Sequence, residues 1–318
     1  MSYDENQHRD PRPRPSRRGL VAVVAGAALL VGGAGGWLVW QTDGSGGGSA
    51  PTGSATSAGK PGGSKAPSPS AAQSGSKPVT PPASSPAPSP SKKTGPLAGK
   101  VVVVDPGHNP GNFSHTREIN RQVDIGTNRK ECDTTGTATA AGYREADFTL
   151  DVSRRLRTLL EEQGAQVEFT QDGDRPFGPC IDERARFGNE AGADAVVSVH
   201  ADGSAVGNRG FHVILPDRVK AGAADTSKIV GPSRELGERI AGRFLRATGS
   251  SPSNYVGDGT GLDVRKDLGG LNLSTVPKVF IECGNMRDPE DVALLTSPSW
   301  RQKAAQGLAD GISSYLQR

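Results

Sequence analysis

Two periods of apolar positions run through residues 97–318. Residues 101–108, VVVVDPGH, begin as a β-branched run that predicts a buried strand, closed by a Pro-Gly turn that leaves His108 at its C-terminal edge. The helical period appears at Phe148, Val152, Leu156, Leu159 and Leu160, one apolar face that ends at Gly164. A strand is predicted at 166–170, a helix at 181–191, a strand at 195–199 leading into His200, and a strand at 211–215. Leu236, Ile240, Phe244 and Leu245 mark a helix, 276–281 a strand ending at Glu282, and Ala305, Leu308, Ile312, Tyr315 and Leu316 a closing helix. Strands alternating with helices predict an α/β fold with a mainly parallel sheet covered on both faces. Residues 109–143, rich in Gly, Asn and Thr, read as a surface insertion around the mouth of a pocket.

The first 96 residues follow neither period. Residues 1–19 form a polar tail with Arg9, Arg12, Arg14, Arg17 and Arg18, and 20–40 is an uncharged run ending in Trp37 and Trp40. That run is long enough to cross a hydrocarbon layer of ~30 Å and predicts a transmembrane signal anchor with its N-terminus in the cytoplasm. A cleaved signal peptide and a twin-arginine export signal at Ser16-Arg17-Arg18 are the alternatives, and all three place the remainder outside the cytoplasm. Residues 41–96, dominated by Gly, Ser, Pro and Ala, read as a disordered spacer, and 97–318 as one folded domain of ordinary size.

Charge sharpens this division. Ten Lys and Arg stand against four Asp and Glu up to Pro96, and 27 against 30 beyond it, so the folded part is slightly acidic although the chain carries +3 overall. Without a basic stripe or aromatics for base stacking, nucleic acid is excluded as a partner.

His108 and His200 each end a valine-rich strand, and parallel strands bring such ends to one rim, where ligands of α/β sheets bind. Glu145, at the start of the first long helix, is the candidate for a third ligand, with Asp147, Glu118 and His115 as rivals. Glu282 follows an apolar strand and suits general acid/base work. Two His and one Glu with an open fourth position is a recurring pattern of catalytic zinc. Asp105 either orients His108 or caps the turn before Pro106. Cys132 and Cys180 are candidates for a disulfide in an exported domain, whereas Cys283 reads as a packed thiol.

These residues carry a resemblance. DPGH with His108, Arg144 to Asp147 with Glu145, SVHAD with His200 and VFIECG with Glu282 resemble the zinc-dependent N-acetylmuramoyl-L-alanine amidases that hydrolyse peptidoglycan. Arg184, Asn189, Ala193-Asp194 and Gly210 extend the likeness. The gap from His108 to Glu145 is longer than in compact members, and Ala-Asp follows His200 where Ala-Asn is usual. The resemblance implies a doubly wound α/β domain with one Zn2+ at the strand ends. It further implies peptidoglycan as substrate, cut between N-acetylmuramic acid and L-alanine, with Glu282 taking the proton of a zinc-activated water. A silent wall-binding or regulatory domain and a zinc peptidase acting within the stem peptide are the other readings. The sequence names no protein regulator.

Overall fold

A computed structural model describes residues 94–318. The predicted tail at 1–19, the membrane span at 20–40 and all but the last three residues of the spacer at 41–96 lie outside the described residues. No helix among the described residues is long and apolar enough to cross a membrane.

Six strands form the central sheet: β1 (Val101–Pro106), β2 (Gln166–Phe169), β3 (Ala195–Asp202), β4 (His212–Pro216), β5 (Leu262–Arg265) and β6 (Lys278–Asn285). Their order is β2-β1-β3-β6-β4-β5. The first four strands of this order run parallel. β4 lies antiparallel to β6 and parallel to β5, so the sheet is mixed, mostly parallel, with a reversed edge pair. Alternation along a strand tells which face a residue occupies but not which way the chain runs, so this reversal was not legible in the pattern.

Five longer helices cover the sheet: α1 (Glu145–Glu162), α2 (Ile181–Glu190), α3 (Val230–Thr248), α4 (Pro289–Leu295) and α5 (Pro298–Leu316). α1, α3 and α5 bury their apolar stripes against Val102, Val104, Val197, Val199, Val279 and Ile281 in the main core. The opposite face carries a smaller layer of Val103, Ala193 and Val196 beside α2.

Residues 109–143 form the insertion expected from composition, contribute Lys130, Glu131, Asp133 and Thr134 to the lining of a cleft, and carry short elements of their own. They hold a one-turn helix (Thr116–Ile119) and a hairpin pairing Gln122–Asp124 with Arg129–Glu131. Val123, Ile125 and Cys132 form a small core with Cys180, to which Cys132 is disulfide-bonded. Each strand has only three residues, too short for a period to stand out against Gly and Asn.

Candidate metal centre

The period of two along β3 and β6 builds one wall of the site. Ala195, Val197, Val199 and Ala201 point into the main core, so Ser198, His200 and Asp202 point to the other face. On β6, Val279, Ile281 and Cys283 face the core and leave Lys278, Phe280 and Glu282 opposite. The register pairs Glu282 with His200, which sets their side chains on one face of strands about 4.8 Å apart. Phe280 stacks against the His200 ring at 5.3 Å between centroids.

His108 arrives from β1 through two backbone peculiarities. A Cβ on Gly107 would lie 2.3 Å from His200 Cε1, so only glycine lets the strand end pass that ring. His108 itself sits at φ +60°, a left-handed conformation costly for a side-chain-bearing residue. Its carbonyl is held there by two donors, Gln171 Nε2 at 3.0 Å and Arg184 Nη2 at 2.9 Å.

Glu145 opens α1 and is 5% exposed. Its Oε1 lies 3.1 Å from His108 Nε2 and 2.9 Å from His200 Nδ1, while Oε2 accepts from the Thr137 amide. Thr149, one turn further along α1, donates to the Gly107 carbonyl at 2.8 Å and fixes the helix to the strand end. The ligand atoms of His108, Glu145 and His200 all lie within 4.8 Å of one another. The rivals lie elsewhere: Asp147 forms a two-point pair with Arg144, Glu118 is exposed, and His115 Nδ1 bonds the Gly111 carbonyl.

Electrostatics follows from crowding these groups in a poorly solvated place. Burial alone would raise the pKa of Glu145, but His108 and His200 hold it well below the usual carboxylate range. Burial, reinforced by the negative Glu145 and Asp202, pushes Glu282 well above that range against the opposing pull of His108 and Arg265. Glu282 Oε2 is buried without a hydrogen-bond partner. Two imidazoles and a carboxylate supply a nitrogen and oxygen donor set suited to zinc, and the orphaned Glu282 oxygen awaits a polar partner beside it. A cleft of about 190 Å³ opens onto both histidines, lined by Thr134, Ile181, Leu268, Gly270 and Phe280 among others.

Asp105 does not orient His108, and this expectation is corrected. Its side chain points to the α2 face, where it accepts from Thr170, Arg184, Ser198 and Lys278. The residue two before a turn on a strand inherits the strand's alternation, which aims Asp105 at buried cations instead of the rim. The carboxylate facing His108 Nδ1 belongs to Asp133, 3.6 Å away. Asp133 follows Cys132 in an aperiodic stretch, and the adjacent disulfide cysteine was the one signal pointing to it. Cys283 is a buried free thiol on the core side of β6.

Fold and site together define a class: an α/β domain with a three-residue donor set and, on the same rim, a half-buried glutamate whose Oε2 is buried without a partner, an arrangement suited to hydrolysis. The family model described as N-acetylmuramoyl-L-alanine amidase matches residues 102–314. The chain is 40% identical over 222 residues to the N-acetylmuramoyl-L-alanine amidase Rv3717 of Mycobacterium tuberculosis, covering 69% of this chain and 88% of that protein. Its structure is similar to the crystal structure of the amidase Ami1 from Mycobacterium smegmatis (TM-score 0.63, 39% identity, 69% of this chain and 98% of that one). The Ami1 structure from Mycobacterium abscessus is equally similar (TM-score 0.63, 42% identity, 69% and 100%). The chain belongs to the N-acetylmuramoyl-L-alanine amidase family and is a peptidoglycan amidase.

Proposed function

We propose that the chain cleaves the amide between the lactyl group of N-acetylmuramic acid and L-alanine of the stem peptide, with one zinc ion held by His108, Glu145 and His200. The observation that carries this reading is the buried, unpartnered Oε2 of Glu282 beside three converging donor side chains. Zinc bound there supplies Lewis acidity. Glu282 is the general base: its carboxylate takes a proton from the attacking water and returns it to the nitrogen of L-alanine as the carbon-nitrogen bond breaks. Glu145 ties the two histidines together, and Phe280 fixes the plane of His200.

In this reading residues 20–40 anchor the chain in the membrane and hold the catalytic domain outside the cytoplasm. The uncharged run and the five arginines before it support that placement. Muropeptides incubated with the zinc-loaded protein should yield free stem peptide with N-terminal alanine by mass spectrometry, and a chelator should abolish it. Cleavage within the stem peptide, or product undiminished by thorough chelation, contradicts the proposal.

A further inference from the structure

His108 Nδ1, the ring nitrogen turned away from Glu145, faces three oxygens from one turn. The Thr134 carbonyl lies 3.2 Å away, Thr134 Oγ1 3.2 Å and Asp133 Oδ1 3.6 Å. The carbonyl and the carboxylate can only accept, and the Thr134 hydroxyl can accept as well, so this surrounding favours the proton on Nδ1 and leaves Nε2 to the donor set. The turn is itself immobilised. Asp133 Oδ2 accepts from Arg184 Nη2 at 2.9 Å and from Asn112 Nδ2 at 3.1 Å, and Asn112 also donates to the Thr134 carbonyl at 2.7 Å. Cys132, the preceding residue, is fastened by its disulfide and by the Ile181 amide on its carbonyl.

Arg184 closes the arrangement. The same Nη2 that donates to Asp133 donates to the His108 carbonyl, and Nη1 bonds Asp105 and the Pro106 carbonyl. One buried guanidinium thus fixes the backbone of His108 and the carboxylate facing its ring. An ammonium on a flexible stem could not reproduce this fork.

We propose that the Asp133–Thr134 turn, locked by Arg184, is the positioning element of the metal centre: it sets the tautomer and ring orientation of His108 and thereby the affinity for zinc. The inference rests on the reading of His108 as a zinc ligand. The test is zinc affinity of the metal-free full chain, measured by competition with a chromophoric chelator, alongside thermal unfolding of the same metal-free proteins. Asp133→Asn should bind zinc about 10- to 100-fold more weakly, the range for a partner behind a ligating histidine. Thr134→Val, at an exposed position that leaves the Arg184 network intact, should weaken binding in the same direction. A purely structural role would lower the unfolding temperature and leave zinc affinity at the wild-type value, which overturns the proposal. If Asp133→Asn does not fold, Thr134→Val decides. His108→Ala separates the two readings: a wild-type protein that binds no zinc, or a His108→Ala protein that binds it unchanged, sinks the ligand assignment itself.

Discussion

Asp105 is fully buried yet stays ionised, because of what surrounds it. Desolvation alone would raise its pKa, but the charges of Lys278 and Arg184, with bonds from Thr170 and Arg184, hold it well below the usual carboxylate range. An unfolded aspartate titrates near ~3.9. The folded pKa is the lower one, so the stabilisation is complete above that value and is lost as pH falls below it toward the folded pKa. Asp105→Asn leaves the Lys278 ammonium buried without its anion and should cost about 3–5 kcal/mol at neutral pH. It should also reduce the slope of stability with pH below about 4, both read by urea unfolding, and an unchanged slope would refute this account. Gly107→Ala should cost zinc binding and turnover, because the added Cβ meets the His200 ring at 2.3 Å. His108, Glu145, His200 and Glu282 were legible because each lies beside or within an element whose period is local: just past β1, at the start of α1, and toward the C-terminal ends of β3 and β6. Asp133 and the clamping role of Arg184 depend on contacts between distant segments, which no period records.

The elements carry the same lesson. Strands β1, β3 and β6 and helices α1, α3 and α5 have long apolar runs or stripes, and the sequence locates each of them, although α3 and α5 begin six and seven residues before the first apolar position that marks them. β5 was missed because LDVR is a half-exposed edge strand of four residues. The hairpin at residues 122–131 was missed because its small core draws on Cys180, 48 residues from Cys132. That link closes a long loop, and removing it frees the unfolded chain. Replacing both cysteines by serine should cost about 4 kcal/mol by chain entropy, measured by denaturant unfolding. It should also weaken zinc binding, since Asp133 is the next residue. A double variant with unchanged stability would show that backbone bonds such as Ile181 N to Cys132 O suffice.

At the scale of the whole molecule, the basic excess belongs to the first 96 residues and the slightly acidic remainder to the catalytic domain. The proposed anchoring predicts that the full chain sediments with membranes while a chain beginning at residue 94 stays in the supernatant. That shorter chain should keep its turnover on soluble muropeptides, because every donor of the site lies within 94–318. A full chain found in the supernatant, uncleaved, would argue against a retained anchor. The central claim is that three side chains hold the metal and a fourth, Glu282, moves the proton. Its most direct test is Glu282→Gln, with zinc content and turnover measured on the same preparation. Zinc should remain at one per chain while kcat falls by about 10²- to 10⁴-fold, the contribution of a positioned general base. Full zinc content with wild-type kcat would contradict the account.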